Sequence, residues 1–527
     1  MHIAGKVWSD FGATLPLERS FAYGSNFPPQ YPIFAGPPIR YHFVFFLVVG
    51  TLERIGVPLD WGLNTLSIVG FFGLLVLIYL FAKSLFKSRF VGTLSALLFL
   101  LNGSFSFLEF FKKHPLSNHT ILDIIKNNDW SSFGPYDGKT VSAFWSLNIF
   151  TNQRHLALGY ACFLALLLLL YKKSLSTHRL HATLKERVKT LFQVPDYPLF
   201  IIVGILIGLF PFIHLTVYMM MCIALLVLFF LLPNLRKQIF VAGVIAGILG
   251  IPQILAMGQS HSDGMKFINP GYLISRDLTL PNFLQYWFFN LGLTSIFSII
   301  GFILAKREQR KFFIPFFVFF IIGNIFQFSP EMGSNHKFFN MFVIGANMFT
   351  AYALWKLWKV NLAAKLLVPL LLIPLTLSGI IDLFPIFNDG YLVAPDIPNN
   401  PTAQFIVKNT PPDSVFLNAE FINDPASLAG RKIFMGWPYF AWSAGYNTDI
   451  RLKEHQSLWN ASNIHTFCDL ANKHAISYAE FSLTRTDSLF TINTSFFHDN
   501  FPLIYNNDKD GTKIYELDET CLARQRY

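Results

Sequence analysis

Apolar residues run on in long stretches through most of this chain, broken by short polar or basic gaps, from about residue 62 to residue 384. The stretches fall at about 62–82, 90–111, 153–171, 199–211, 213–232, 238–256, 285–305, 312–328, 338–358 and 364–384. Most have the ~17–25 residues a helix needs to cross a hydrocarbon core. Residues 1–40 are of another kind, rich in Pro, Gly and aromatic residues, and predict a structured loop with aromatic anchors. Residues 41–55 carry a short apolar stretch ending in Glu53 and Arg54, which predicts an interfacial helix. Beyond 385 the period shortens. SVFLNA, KIFMG, ISYAEF, PLIYNN and TKIYEL read as strands, and TAQFIVKN and NIHTFCDLANKHA as helices.

Composition narrows the class. The 527 residues are 53% hydrophobic and only 14% charged, where soluble proteins have about 25% charged residues. Disordered, collagenous and coiled-coil chains are excluded, and a single water-soluble enzyme does not fit. The expected fold is a mostly α, polytopic membrane helix bundle of about ten spans with an extracytoplasmic C-terminal α/β domain. Residues 1–60 are the expected first outer loop with its interfacial helix, 61–384 the transmembrane bundle and 385–527 the α/β domain.

The formal charge of +10 does not point to nucleic acid, because the basic residues sit in the gaps between apolar runs. Lys83, Lys87 and Arg89 share one gap; Lys172, Lys173, Arg179, Lys185, Arg187 and Lys189 a second; Arg236 and Lys237 a third. Lys306, Arg307, Arg310 and Lys311 make a fourth, and Lys356, Lys359 and Lys365 a fifth. All five face one side if 199–232 is a two-span hairpin turning at Pro211–His214. The positive-inside tendency therefore favours the hairpin and puts both chain ends outside the cytoplasm. No cleavable signal peptide precedes the first motif. A Cys468–Cys521 disulfide requires that end to lie in an oxidising compartment.

Ionisable residues collect in the outer segments. Asp10, in VWSDF, can take a proton from an incoming hydroxyl or help bind a metal; it can also be a surface or helix-capping carboxylate. Arg40 and His42 follow a proline-stiffened stretch, where a guanidinium can grip a phosphate or simply anchor at the interface. Arg154, His155, His214, His336 and Lys337 lie at outer span ends, where such groups snorkel or face a cavity. As a set they suit a phosphate or pyrophosphate leaving group, with Glu331 as a second acid or a partner of Lys337. His261 and Asp263 are too few for a zinc site, and His114, His119 and Asp123 have no helical metal spacing. No metal ligand set is assigned, although a divalent metal is compatible with Asp10. Arg431 and Arg451 either contact substrate or tie loops together. No GxGxxG, Walker or Ser-His-Asp pattern is present.

WSDF, NFPPQYP and FAGPPIRYH, followed by the interfacial helix, resemble the first outer loop of integral-membrane glycosyltransferases of the C-type superfamily (GT-C). TNQRHLALG at 151–159, LFPFIHL at 209–215, SPEMGSNHKFF at 329–339 and LAGRKIFMGWPYFAWSAGYNTDIR at 428–451 are similar to a prokaryotic branch of it. The resemblance runs over nearly the whole chain. It implies a polyprenyl-phosphate-linked sugar donor, a glycan, lipid or protein acceptor, inversion at the anomeric carbon and a place in a prokaryotic plasma membrane. It implies a catalytic role for Asp10, although Ser9 stands where many members have a second acidic residue. It also implies a further span upstream. Two rivals remain: a transporter or flippase of lipid-linked sugar precursors, which predicts broken spans, and an inactive truncated relative.

Overall fold

The computed structural model describes residues 1–5, 8–128, 147–179, 197–258 and 265–524. They divide into two compact units. The α/β unit comprises residues 1–65, 254–265 and 390–527, and the bundle comprises 66–253 and 266–389.

Among the described residues, six helices are long and apolar enough to cross a membrane: Leu59–Phe86, Leu156–Ser176, Pro211–Leu231, Pro233–Ala256, Met332–Trp358 and Leu362–Phe387. They make this an integral membrane protein. Four expected spans, 90–111, 199–211, 285–305 and 312–328, are not among the six. The stretch 90–111 is divided between two helices, Arg89–Leu100 and Phe107–Lys113, because Asn102, Gly103 and Ser104 interrupt it. The broken backbone stays paired: Gly379 N–H donates to Asn102 O, Ser378 Oγ–H to Ser104 O, and Phe105 N–H to Phe289 O. Irregular backbone at membrane depth survives only when satisfied in this way by protein. The stretch 285–305 is two helices, Leu280–Leu291 and Thr294–Leu304, bent by 89° at a break that carries Gly292 with φ +56°. The run 199–232 divides into Tyr197–Gly208 and Pro211–Leu231, and His214 (φ −166°, ψ 98°) interrupts the second helix as well. Inside the bundle, small residues let backbones approach. A Cβ on Gly301 would lie 2.0 Å from Phe349 O, so Thr294–Leu304 seats directly on His336–Trp358.

The α/β unit holds a five-stranded sheet in the order β4-β3-β5-β7-β6. Its strands are β3 (Val415–Asn418), β4 (Lys432–Ile433), β5 (Tyr478–Ser482), β6 (Leu503–Asn507) and β7 (Thr512–Glu516). β4, β3 and β5 are parallel, and β7 and β6 follow antiparallel. β3 and β5 are buried along their whole length, as parallel strands covered on both faces must be. The helices read from TAQFIVKN and NIHTFCDLANKHA form over Pro401–Asn409 and Ile464–Lys473. Cys468 and Cys521 are joined in a disulfide.

The segment before residue 65 belongs to this unit. β1 (His2–Ala4) pairs antiparallel with β2 (Tyr391–Val393). Residues 32–35 run along β4 and its continuation: Ile433 N–H donates to Pro32 O, Ala35 N–H to Ile433 O, and Gly436 N–H to Ile33 O. The expected loop over 1–40 is corrected here, because Trp8–Ala22 is a helix. Nearly every residue from Phe11 to Ala22 is buried, so its sequence shows no one-sided apolar stripe. The short apolar stretch after it forms the helix Val44–Arg54.

Candidate functional site

The candidate residues fall into two groups, one in each unit. In the α/β unit, Asp10 sits in the first turn of the helix Trp8–Ala22, where the positive helix end favours a carboxylate. It is half-buried and acts electrostatically on Tyr31 and Tyr41. Burial first, and then this carboxylate, raises the Tyr41 phenol. Both tyrosines therefore stay protonated beside Asp10 at neutral pH.

Arg40 and His42 are fixed to the same aromatic wall. The rings of Tyr446, Tyr31 and Tyr41 stack at 5.9 and 6.3 Å, and His42 continues the stack at 3.9 Å from Tyr41. Arg40 lies over the Tyr446 ring at 4.8 Å, donates its Nη1–H to Gly445 O, and takes Tyr446 Oη as partner of its backbone N–H. Part of the Arg40 guanidinium is thus spent on holding the 445–446 turn. His42 is buried.

Arg431 and Arg451 resolve toward structure. Arg431 is 2% exposed and donates to Thr410 Oγ1 and to the carbonyls of Tyr23, Ile406, Val407, Thr410 and Ala429. Arg451 donates to Ala35 O and Phe434 O, between the rings of Phe34 and Phe434. Beside Arg431, a Cβ on Gly24 would lie 2.2 Å from Gly430 O, and Gly430 itself has φ +77°. The LAGRK motif is thus one point at which the amino-terminal segment is fastened to the α/β unit.

In the bundle, His155 lies immediately before the helix Leu156–Arg179, and its ring is 5.1 Å from that of His214. Gly159 makes this approach possible, since a Cβ there would meet Val217 at 3.0 Å and the His214 ring at 3.6 Å. His336 opens the helix His336–Trp358; its Nδ1 faces Asn340 Oδ1 at 2.8 Å and its Nε2 faces the Gln153 amide at 3.3 Å. Lys337 acts electrostatically on His155, His214 and His336, and its carbonyl accepts from Tyr160 Oη. Arg154 turns its Nε–H to Thr151 O. The bundle therefore brings His155, His214, His336 and Lys337 together. Gln153, Asn340 and Tyr160 were not singled out in the sequence; Gln153 stands inside the TNQRHLALG motif, and Asn340 one helical turn after His336. His261 and Asp263 lie outside the described residues. His114 and His119 lie at the surface of the bundle.

A second feature of the bundle is an apolar cavity of about 800 Å³ at the bent helix pair. Phe283, Trp287, Phe288, Phe302, Phe313 and Phe317 line it.

No family model and no curated protein matches this chain. Among solved structures, it is similar to the Archaeoglobus fulgidus oligosaccharyltransferase tethered with an acceptor peptide containing the NVT sequon. That match has 12% identity and a TM-score of 0.46, over 98% of this chain and 70% of that one. It is also similar to the Archaeoglobus fulgidus oligosaccharyltransferase AglB in complex with an inhibitory peptide and a dolichol-phosphate, with 12% identity and a TM-score of 0.48 over 91% and 66%. A third match is the same organism's enzyme in complex with Zn and sulfate, with 11% identity and a TM-score of 0.48 over 97% and 69%. At these values the likeness transfers no residue role to this chain.

Proposed function

We propose that this protein is a membrane glycosyltransferase of the GT-C superfamily, moving a sugar from a polyprenyl-phosphate-linked donor to an acceptor hydroxyl on the outer face of the membrane. The observation that carries the reading is the gathering of His155, His214, His336 and Lys337 at helix ends inside the bundle. Polar groups so placed are expensive, and they repay their cost when they meet a charged ligand. In the reaction, the acceptor oxygen bonds to the anomeric carbon as the bond from that carbon to the phosphate oxygen breaks. The hydroxyl proton passes to Asp10, and the lipid phosphate departs with the bonding electrons. Lys337, with the imidazoles around it and Arg154, is the set suited to receive that anion. Arg40 and His42 are assigned to the lipid-phosphate headgroup, and the phenylalanine-lined cavity suits an isoprenoid chain. A divalent metal, if used, would draw on Asp10; no further ligand set is assigned to it. The paired cysteines accord with an oxidising compartment outside the cytoplasm.

The test is transfer by the purified protein in liposomes carrying a radiolabelled polyprenyl-phosphate sugar. Asp10→Asn is expected to lower turnover by about 10²–10⁴-fold, and Lys337→Met by about 10²–10³-fold. Transfer undiminished in Asp10→Asn would remove its assignment.

A second reading draws on one specific observation. The 89° break at Gly292 and the interruption at His214 are the broken helices expected of a flippase for lipid-linked sugars. Movement of intact lipid between leaflets with no sugar released would select that reading.

A further inference from the structure

A small cleft opens in the α/β unit at the carboxyl ends of its parallel strands. The chain leaves β3 for β4 on one side and then crosses to β5 on the other, so the connections from β3 and β5 diverge. Doubly wound sheets bind ligands in the crevice that such a switch point creates. Here the crevice is lined with oxygen. Glu420 follows β3, Glu480 stands on β5, and Asp424 caps the helix Pro425–Leu428 through Oδ1, accepting from Ala426 and Ser427 N–H. Ser482, Arg485 and Thr486 complete the lining, around room for a single water-sized particle.

Glu480 is the telling residue. It is 2% exposed, it borders the cleft, and its Oε2 has no hydrogen-bond partner among the described residues. An unmatched carboxylate oxygen at that depth costs several kcal/mol unless a proton or a cation meets it. Arg485, whose charge also acts on Glu480, is shared with other carboxylates. Its Nε is 3.6 Å from Glu420 Oε2, and its Nη2 is 3.6 Å from Asp510 Oδ2 while donating to Thr512 Oγ1. Burial, and then the crowding of Asp424, Asp510 and Asp487, pushes Glu420 up to about 8. Burial pushes Asp424 up to about 7, and burial followed by Asp424 and Glu420 raises Glu480.

We propose that this cleft binds a hard divalent cation of the calcium or magnesium class, held by carboxylate oxygens of Glu480, Glu420 and Asp424. The donors present are oxygens, with neither thiolate nor imidazole among the lining residues, which is the set such ions prefer. The site couples β3, β5 and the helix at Pro425, and it fixes the switch-point loops.

The test uses the full-length detergent-solubilised protein, stripped with chelator and titrated with calcium or magnesium chloride at constant ionic strength. The expected result is a rise of several degrees in melting midpoint. The rise should vanish in Glu480→Gln, shrink in Glu420→Gln and persist in Asp10→Asn. Arg485→Gln removes the competing charge and should shift the titration to lower cation concentration. No rise, or a rise that both glutamate variants keep, would overturn the proposal. So would a rise abolished by Asp10→Asn alone, which would assign the metal to the other group. Comparing the cation-dependent rise within each variant keeps the test valid where a substitution changes basal stability.

Discussion

Arg431 in the α/β unit and Asn347 in the bundle are both buried, and each closes its surroundings with side-chain hydrogen bonds. Arg431 reaches one hydroxyl and five carbonyls, whereas Asn347 reaches one, Leu98 O at 3.1 Å. The contrast extends beyond the pair. In the α/β unit, Arg19 bridges Glu53 at 3.2 Å and Asp396 at 2.7 Å. In the bundle, Trp287 Nε1–H donates to Asn324 Oδ1, Gln253 holds Gly208 O, and Asn335 holds Gly323 O. One unit fastens itself with charge, the other chiefly with neutral amides. The difference follows from the unfolded reference. A segment unfolding into water exchanges its buried charge pairs for solvation, while a helix leaving its neighbours within lipid still finds polar partners. Equal-looking bonds in the two units are therefore unequal in worth.

The largest effect is expected from Arg431→Met. It strands several carbonyls under the amino-terminal segment and should destabilise the α/β unit by about 3–5 kcal/mol, seen as protease cleavage near residue 24. Reduction of Cys468–Cys521 opens a loop with a sequence separation of 53 and should cost about 2–4 kcal/mol, read as a lower melting midpoint in reductant. The acidic cleft gives a pH test. Glu420 and Asp424 hold protons more tightly folded than unfolded, so their contribution is complete below the unfolded carboxyl range. It is lost as pH rises toward about 8. In chelator-stripped protein the melting midpoint of the α/β unit should accordingly fall from pH 5 to pH 8.5, with Glu480, Asp487, Asp510 and Arg485 as the facing charges, and Glu420→Gln should flatten the slope. The smallest effect is Asn347→Ala, at about 0.6 kcal/mol in lipid. A loss there as large as that from Arg431→Met would break the comparison.

Much of the fold was legible because hydrophobic period reports burial. The five tail strands appear where SVFLNA, KIFMG, ISYAEF, PLIYNN and TKIYEL alternate or run apolar. The helix Trp8–Ala22 was hidden by burial on all sides, and Pro16 within it reads as a loop signal. The breaks at Asn102 and Gly292 were hidden for a different reason. Their backbone groups are satisfied by Gly379, Ser378 and Phe289, distant in sequence, so no local pattern marks them. The candidate site divides the same way. Clustered motifs pointed to His155, His214, His336 and Lys337, whereas the cleft of Glu420, Asp424 and Glu480 exists only because two parallel strands lie side by side. Sequence left Arg431 open, and only its carbonyl partners decide it.

The pairing of His2 with Val393 constrains how the protein is made. Translation delivers β1 before β2, with the apolar helices between them, so the earlier strand must wait on one side, unpaired, with its sheet edge uncovered. Because both strands end on that side, the intervening chain must cross the membrane an even number of times. Insertion errors that skip one crossing would leave β1 without its partner.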